Sequence, residues 1–492
     1  MIFPSEINFL LKMKNKISLF ITIFLLVSLV TSPVYAQTTE DYPEYIVQPG
    51  DTLSYIATLF DVSMDEIQII NNLADPNSIY PDLRLKIPGY PGIKGLLTPV
   101  ILGYGEIWQN LVVKYHADEN TLIKINKLIS PKTLYPGSEL LMPIDENLPI
   151  LNPVAVLNES KTFLENTAIL NAKPYILFNE NRKNSSLDFY TNDLIYDNNP
   201  DLTSVNSISD VIASISVSPL PLLQGDTLTI EITTRIPLNL SGNVDGKELI
   251  FFSNDNTNYF AFAGIHAMAP IGIINLTVSG SSDSETLFTN SQNLLLVAGN
   301  FDSDPNLNVA PEMIDPSITG PELEKITAIT SVFTPEKYWD GVFLSPDTDY
   351  ALEIANYDEK KEITSFFGTR RTYNADPTIT FHTGVDFGGG VGLPIVATAA
   401  GKVVFAGALD VRGNATIIDH GLGVYSAYYH QNEIFVKTGD MVQKGQQIGK
   451  VGNSGRVDRA NEYAGAGAHL HWEIWVNGTQ VDPLEWINSG HP

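Results

Sequence analysis

Four residues near the end of the chain have the types and the spacing of a metal site. His382 and Asp386 lie in FHTGVDFGGG, and His469 and His471 lie in GAHLHWEIW. The chain has no cysteine, so a zinc ion would have to be held by His, Asp or Glu side chains. A catalytic zinc takes three protein ligands and keeps one position open. The four residues would supply such a set with one histidine to spare.

Both segments that carry these residues are predicted to be extended. LHWEIWV is rich in β-branched and aromatic residues, and alternation along a strand places His469 and His471 on the same face. Gly384 and the glycine run after Asp386 argue against a helix in the other segment. The four-residue spacing from His382 is therefore not the helical H-E-x-x-H arrangement. We expect a strand that runs into a loop.

The stretch from about Ile363 to Trp486 resembles the lysostaphin-type, or LytM-type, zinc endopeptidases of bacterial cell-wall peptides. The matching pieces, in order, are TSFFGTRR, FHTGVDFGGGVGLPIVATAAGKVVFAG, IIDHGLGVYSAYYHQNE, VKTGDMVQKGQQIGKVGNSG and HLHWEIWVNGTQVDPLEW. The resemblance implies an antiparallel β peptidase domain of the lysostaphin, or duplicated-hybrid-motif, type over residues 356–490. It also implies that Zn2+ is bound by His382, Asp386 and His471, and that His430 and His469 are the catalytic histidines.

Metal-assisted peptide hydrolysis is the chemistry that this resemblance implies. Zinc polarises the scissile carbonyl and lowers the pKa of its bound water to about 7. One imidazole, of His430 or His469, would take the proton and the other would stabilise the oxyanion, and the two roles stay open. Alternation in GVYSAYYHQNEIFV independently places His430 on one strand face with Ser426 and Tyr428. His420, which precedes a glycine turn, is interpreted as structural.

Three interpretations compete for this domain. An active wall endopeptidase is favoured because all five residues of the implied set are present. The alternative is a catalytically silent relative that binds the wall and activates another hydrolase. The loop between Gly455 and His469 is longer than is usual in the family, which would alter substrate fit or occlude the site. VKTGDMVQKGQQIGKV also resembles the hairpin of biotinyl and lipoyl carrier domains, but a carrier has no use for the metal set.

The N-terminal residues predict export. Three lysines precede an apolar run over residues 17–30, and a small-residue pattern that ends at Ala36 follows, so residues 1–36 are predicted to be a signal peptide. The run is shorter than the roughly 20 residues that span a bilayer, so we expect no stable membrane insertion after cleavage. A formal charge of -27 argues against nucleic-acid binding. We expect a secreted, extracytoplasmic protein that is associated with the cell wall.

An internal repeat with a shift of 55 positions follows the N-terminal segment. Residues 45–88 superpose on residues 100–143 without a gap. In the first copy, YIVQPGDTLSYIATLF predicts a short strand, a glycine turn and a helix. Ser63 and Glu66 have the spacing of a capping box for a second helix, and LRLKIP then closes the unit as a strand.

This β-α-α-β order and the words YIVQPGDTLSYIA, IINN and LRLKIP resemble LysM domains, which bind N-acetylglucosamine-containing glycans. The implied modules cover residues 44–88 and 99–143. In the second module, GYGE replaces the usual P-G-D and Trp108 stands at the position of Leu53, so its glycan binding stays open. The residues expected to border the glycan groove of the first module are Gly50, Asp51, Thr52, Asn71 and Asn72.

The remaining segments are predicted to position these modules. Residues 144–209 are polar and indicate a partly ordered linker or an accessory segment. Short strand-like runs over residues 210–300 predict an Ig-like β-sandwich, and the Pro- and Asp-rich residues 301–355 a linker. The fold class is therefore multidomain and mainly β. The expected partner is bacterial peptidoglycan, through its peptide crosslinks or stem peptides at the peptidase domain and its glycan at the LysM-like modules. Which peptide bond is cut stays open.

Overall fold

The protein forms two compact units. The structure, a computed structural model, describes residues 42–90, 93–157, 162–190, 193–198, 211–304, 307, 309, 311, 314–347, 363–388, 390–456 and 467–492. The first unit comprises Met1–Ser216, Ile232–Leu240 and Gly272–Leu296, and the second comprises Val217–Glu231, Ser241–Ile271 and Val297–Pro492. The predicted signal peptide lies outside the described residues, as does most of the long loop before His469.

Strands outnumber helices along the described residues, which confirms the prediction of a mainly β chain. The strands are β1 Glu44–Ile46, β2 Arg84–Lys86, β3 Leu96–Ile101, β4 Glu139–Ile144, β5 Asn152–Val156, β6 Leu194–Asp197, β7 Ile212–Ser218, β8 Leu222–Leu223, β9 Thr227–Thr234, β10 Asn239–Val244, β11 Lys247–Leu249, β12 Phe252–Ser253, β13 Asn258–Gly264, β14 Gly272–Ser282, β15 Glu285–Val297, β16 Ile363–Ser365, β17 Arg370–Arg371, β18 Thr380–Phe381, β19 Val385–Gly388, β20 Pro394–Val396, β21 Gly401–Leu409, β22 Gly413–Gly421, β23 Val424–Ile434, β24 Met441–Val442, β25 Gln447–Val451, β26 His469–Val476 and β27 Thr479–Val481. The helices are α1 Leu53–Phe60, α2 Met64–Asn71, α3 Trp108–Lys114, α4 Glu119–Ile125, α5 Phe163–Ile169, α6 Pro174–Glu180, α7 Pro316–Thr330 and α8 Pro483–Asn488. No helix among the described residues has both the length and the apolar character needed to span a bilayer.

The two predicted LysM-like modules have the β-α-α-β order in the structure. Helix α1 begins after Thr52, whose hydroxyl accepts the Tyr55 N–H, and α2 begins with the predicted capping box of Ser63 and Glu66. The apolar face of α1 is buried against the two strands of its module. Strands from both modules form one sheet in the order β2-β1-β3-β4, in which β1 and β3 are parallel.

Residues 152–197 also contain regular structure. Strand β5 pairs antiparallel with β6, and α5 and α6 lie between them along the chain. Thr162 caps α5 and Pro174 is the first residue of α6, a position where proline stabilises a helix start. The described part of the predicted linker or accessory segment is thus folded.

Strands dominate the predicted Ig-like region. In the first unit, β14 and β15 form a long antiparallel hairpin. In the second unit, β10 pairs with β11 and β12 pairs with β13, again antiparallel. The division between the two units runs through residues 210–300, and the assignment of this region to one Ig-like domain stays a prediction.

A large antiparallel sheet forms the C-terminal part of the second unit. Its strand order is β16-β19-β26-β23-β22-β21-β24, with β27 paired to β26 and the β20–β25 pair attached through β23. Strand β26 lies between β19 and β23, and every residue after His469 in this strand is buried. Four apolar side chains of β26 pack into the core, whereas His469 and His471 line the cavity described below; the four are Leu470, Trp472, Ile474 and Val476.

Candidate functional site

Three side chains from two neighbouring strands and one loop converge on a single point. In the β19–β26 register, Asp386 lies opposite His471, and His382 lies in the loop between β18 and β19. Gly384 lets this loop pass close to the strand, since a Cβ there would be 2.2 Å from the Trp472 carbonyl oxygen. The expected strand leading into a loop is therefore wrong in detail, because Asp386 itself lies in a strand.

The ligand atoms of this trio form a compact triangle. His382 Nε2 is 3.0 Å from Asp386 Oδ1 and 3.0 Å from His471 Nδ1, and His471 Nδ1 is 2.7 Å from Asp386 Oδ1. A tetrahedral site with bonds of about 2.0 Å has edges of roughly 3.3 Å, so the three atoms fit one small cation after minor expansion. Within the described residues, this is the group of His, Asp and Glu side chains that could hold a metal ion.

In His382 and His471, the ring nitrogen that points away from the trio already forms a hydrogen bond within the protein. His382 Nδ1 donates to the Phe366 carbonyl oxygen at 3.0 Å, and His471 Nε2 donates to Glu473 Oε1 at 3.1 Å. These partners fix the tautomers that leave His382 Nε2 and His471 Nδ1 free for a metal. The donor atoms, their spacing and their outer hydrogen bonds all suit zinc.

Electrostatics within the trio favour an ionised carboxylate. Burial opposes ionisation of Asp386, but the adjacent His382 and His471 outweigh it and hold the pKa of this carboxyl well below its ordinary value. Burial also opposes protonation of His471, yet its contacts with Asp386 and Glu473 raise the pKa of the ring. A bound metal would displace the proton at Nδ1, so metal affinity should fall as pH falls.

Two further histidines lie beside the trio. The rings of His430 and His469 are 4.8 Å apart, and His469 Nε2 is 3.7 Å from Asp386 Oδ1. His430 Nδ1 donates to the Ser454 carbonyl oxygen at 2.7 Å, and His469 Nδ1 donates to that of Gly467 at 2.8 Å. In the neutral form of each ring, Nε2 is therefore the nitrogen that carries no proton. Burial, reinforced by His469 and His471, holds the pKa of His430 well below its ordinary value.

The backbone at His430 departs from the predicted alternation. His430 has a φ of 59°, in the left-handed region, and the register with β22 shifts around it. As a result, the rings of both Tyr429 and His430 lie within about 6 Å of the His471 ring, at 5.7 and 6.1 Å. Tyr428 points elsewhere, with its hydroxyl bonded to Thr398. The prediction that His430 shares a face with Ser426 and Tyr428 is thus wrong, although its expected proximity to the metal ligands is found.

His420 lies away from the trio, as expected for a structural residue. It is fully buried at the end of β22. Its Nδ1 donates to the Ala400 carbonyl oxygen at 2.8 Å and its Nε2 is 2.7 Å from Ser426 Oγ. Both ring nitrogens are engaged in the core.

Sequence reasoning missed a buried carboxylate that supports His471. Glu473 is fully buried and lies two residues further along β26. It accepts hydrogen bonds from Thr383 at 2.6 Å and Trp475 at 2.7 Å, besides the one from His471. Alternation places Glu473 on the same strand face as His469 and His471, a signal that could have identified it.

An arginine connects this carboxylate to helix α7. Arg412 Nη2 is 3.7 Å from Glu473 Oε1, and Arg412 Nη1 is 3.1 Å from Glu322 Oε1. Glu322 also accepts the backbone N–H groups of Val411 at 2.7 Å and Arg412 at 3.1 Å. The attraction of Arg412 outweighs burial and lowers the pKa of Glu473 to about 2, so its carboxylate is charged at neutral pH.

A cavity of about 320 Å³ opens onto the five predicted site residues. Its walls also carry Arg371, Arg412 and Arg456, and Arg371 Nε pairs with Asp304 Oδ2 at 3.0 Å. Tyr373 contributes an aromatic wall, with the Arg456 guanidinium 5.5 Å from its ring centre. The cavity thus combines the trio with three arginines, of which Arg371 and Arg412 are paired with carboxylates.

The predicted glycan-contact residues have two different structural roles. Gly50 and Thr52 lie in the exposed turn before α1, where Asp51 Oδ2 accepts from the Tyr45 hydroxyl at 2.9 Å. Asn72 is exposed after α2. Asn71, in contrast, uses its amide to bridge α2 and β2, donating to Ile67 and Lys86 and accepting from the Lys86 N–H. Its side chain is thus committed to the module's own fold.

Comparisons with known proteins match both ends of the chain. Residues 380–483 match the profile of Peptidase family M23, a metallopeptidase family, and residues 45–88 and 105–143 match that of the LysM domain. The chain therefore contains an M23 peptidase domain of the LytM type and two LysM domains, as the resemblances implied.

Individual relatives match part of the chain. The peptidoglycan DD-endopeptidase ShyA of Vibrio cholerae is 35% identical over 149 residues, which cover 30% of this chain and 33% of that protein. The DD-carboxypeptidase/endopeptidase Mpg of Neisseria meningitidis is 34% identical over 148 residues, with coverage of 30% and 31%. The chain thus spans about a third of the length of these curated relatives. Among solved structures, the catalytic domain of the antimicrobial peptidase lysostaphin from Staphylococcus simulans is 32% identical, covers 22% of this chain and 80% of that one, and gives a TM-score of 0.20.

Proposed function

We propose that this chain is a secreted peptidoglycan hydrolase, a zinc metalloendopeptidase that cleaves peptide crosslinks or stem peptides and is tethered by its LysM domains to wall glycan. The observation that carries the proposal is the convergence of His382 Nε2, Asp386 Oδ1 and His471 Nδ1, with two further histidines beside them. The names of the relatives, which include peptidoglycan endopeptidases, support the same substrate class.

The side chains of the site have complementary roles in the proposed hydrolysis. Zinc, when held by the trio, would supply a Lewis acid and a water-derived nucleophile at neutral pH. His430 and His469 line the same cavity as the trio, and in its neutral form either ring would accept the proton of the water at Nε2. The other ring, when protonated at Nε2, would donate a hydrogen bond to the oxygen on which charge develops.

The remaining walls favour an anionic peptide. Stem peptides carry free carboxylates, and the cavity is lined by Arg371, Arg412 and Arg456 although the chain as a whole has a formal charge of -27. Two of these arginines already pair with carboxylates, so we expect them to contact the carboxylates of an anionic substrate at short range rather than to form a strongly positive surface. The LysM domains would hold the chain on the insoluble polymer, through Gly50, Asp51, Thr52 and Asn72 in the first one.

Digestion of purified peptidoglycan tests this function. We expect the chain from residue 37 onward to contain about one zinc per molecule and to release peptide fragments, because the trio supplies one three-ligand site. Mass spectrometry of the released muropeptides identifies the bond that is cut. His382→Ala and His471→Ala should abolish both zinc content and release, and full activity of either variant would reject the proposal.

The alternative, a catalytically silent wall-binding activator, predicts a different result. Such a protein would sediment with peptidoglycan and increase fragment release by a second hydrolase, yet it would release nothing alone. The intact trio and the two adjacent histidines favour the enzyme.

A further inference from the structure

Residues 151–197 follow the backbone plan of the two LysM domains. Strand β5, helices α5 and α6 and strand β6 follow one another in the same β-α-α-β order. The first helices of the three segments begin at Leu53, Trp108 and Phe163, the second at Met64, Glu119 and Pro174, and the closing strands at Arg84, Glu139 and Leu194. Every step is 55 residues, the shift that relates the first two copies.

One asparagine makes the same backbone contacts in each copy. Asn71, Asn126 and Asn181 lie at equivalent positions. Asn181 Nδ2 donates to the carbonyl oxygens of Leu177 and Tyr196 at 2.8 Å each, and its Oδ1 accepts the Tyr196 N–H at 2.8 Å. The other two asparagines form the same three bonds with their own helix and closing strand. A buried side chain with three backbone partners fixes how the second helix meets the strand.

Residues with a left-handed backbone conformation recur at equivalent positions of the three segments. Each first helix is followed by a non-glycine residue with positive φ, and so is each second helix. The φ values are 56°, 51° and 50° at Asp61, His116 and Asn171, and 54°, 50° and 54° at Asn72, Lys127 and Arg182. Because only a few per cent of non-glycine residues adopt this conformation, two coincidences in all three copies indicate one repeated fold.

The buried positions of the second copy also recur in residues 151–197, but the residue types at some of them differ. Leu157, Phe163, Leu177 and Ile195 are buried at the positions of Leu102, Trp108, Leu122 and Leu140. Helix α5, however, buries Asn166 and Thr167 where the second copy has Leu111 and Val112. The apolar periodicity of α5 is therefore weak, which explains why the segment was interpreted from sequence as polar linker or accessory material.

A tyrosine precedes the closing strand in this register, and it is exposed in the first and third copies. Tyr80, Tyr135 and Tyr190 are equivalent, and in each copy the residue three positions later donates its N–H to the tyrosine carbonyl oxygen. Tyr80 and Tyr190 are 60% and 68% exposed. A tyrosine ring offers a flat apolar surface with a polar edge, which suits the ring face and N-acetyl group of an amino sugar.

We propose that residues 151–197 are a third LysM-type module and that it contacts β-1,4-linked N-acetylglucosamine through Tyr190. This inference rests on the proposed glycan binding of the first LysM domain, from which it takes the ligand class. An additional glycan-binding module on one chain would increase the avidity for one polymer, because each later contact is intramolecular.

Two measurements test the fold and the ligand separately, both on the chain from residue 37 onward. Asn181→Ala should remove hydrogen-exchange protection of the Tyr196 amide, as Asn126→Ala should for Leu141, since each amide donates to its asparagine. Retained protection of Tyr196 in Asn181→Ala, with loss at Leu141 in Asn126→Ala, would overturn the repeat assignment.

Binding of the β-1,4-linked N-acetylglucosamine hexamer is then compared by titration calorimetry. Tyr190→Ala and Tyr80→Ala should each weaken it about 3- to 10-fold, the scale of one aromatic contact. Tyr175→Ala is the matched control, because Tyr175 is 59% exposed in the same copy but lies outside the repeated position, and it should bind like the unaltered chain. Loss in Tyr80→Ala alone would reject the third module as a glycan site. Absence of hexamer binding by the unaltered chain would instead reject the proposed LysM function and this inference with it.

Discussion

The substitution Glu473→Gln tests whether a residue outside the predicted ligand set orients His471, which belongs to it. The side chain keeps its shape but loses the charge that fixes the His471 tautomer from 3.1 Å away and faces Arg412 at 3.7 Å. Removing an outer hydrogen-bond partner of a metal-binding histidine weakens metal affinity by about 10- to 100-fold. At 1.4 kcal/mol per factor of ten, this is about 1.4 to 2.8 kcal/mol.

A stability effect should accompany the loss of affinity. Breaking a buried ion pair by removing one partner costs roughly 3–5 kcal/mol. Arg412 keeps Glu322 at 3.1 Å, so we expect a smaller decrease in the free energy of unfolding, about 2–3 kcal/mol, in the metal-free protein. Urea unfolding with a chelator measures this term separately from zinc binding.

The assay is competition for zinc with a chromogenic chelator, supported by the absorption spectrum of the cobalt-loaded protein. Because Glu473 orients His471, its loss should change the cobalt spectrum as well as the affinity, whereas a purely structural role would leave the spectrum unchanged. Glu433→Gln is the control, since Glu433 lies on β23 in an exposed pair with Lys450 at 3.1 Å and should shift stability by less than about 0.5 kcal/mol. A zinc affinity within twofold of the unaltered chain, with an unchanged spectrum, would refute the positioning role.

Three further expectations concern His382 of the trio, Glu322 of helix α7, and Glu485, which lies in helix α8 and accepts the Thr227 N–H at 2.8 Å. His382→Ala should lower zinc affinity more than about 100-fold, beyond the loss for an outer partner, and retained metal content measured by mass spectrometry would contradict this. Glu322→Gln should lower the melting temperature. It should also weaken zinc binding, but by less than Glu473→Gln does, because Glu322 acts through Arg412. Calorimetry measures the first effect and the chelator assay the second, and an unchanged melting temperature would contradict the expectation. Burial raises the pKa of Glu485 from its ordinary 4.5 to about 8, so the stability that this group contributes is complete below pH 4.5 and is lost as pH rises toward 8. Glu485→Gln should therefore raise the free energy of unfolding at pH 8.5 by roughly 2–4 kcal/mol and flatten its pH dependence, and identical pH profiles would contradict this.

Local patterns predicted much of the fold. The capping box of Ser63 and Glu66 and the apolar face of α1 are set by neighbouring residues, so the first module could be described closely. The alternation of LHWEIWV likewise identified β26. Residues 152–197 were harder, because backbone bonds to Asn181 and two left-handed residues define that fold without a regular apolar pattern.

The five predicted site residues line one cavity in the structure, but their geometry was not predictable from the sequence. His382 and Asp386 lie in short segments whose conformation depends on contact with β26, which no local pattern encodes. The left-handed φ of His430 breaks the alternation on which its orientation was predicted. Glu322 and Arg412 are distant in sequence from the trio, so their contribution becomes visible only when the chain is folded.

Helix α7 has a consequence for how the C-terminal domain could be expressed or fused to other proteins. The family profile begins at residue 380, yet Glu322 lies in the core of the same unit and accepts the backbone N–H groups of Val411 and Arg412. A gene fusion or an expressed fragment that starts at the profile boundary would leave those two amides and the arginine without their carboxylate. A fragment that keeps these contacts is therefore longer than the family match, and it has to begin ahead of Asp315, the residue that caps α7.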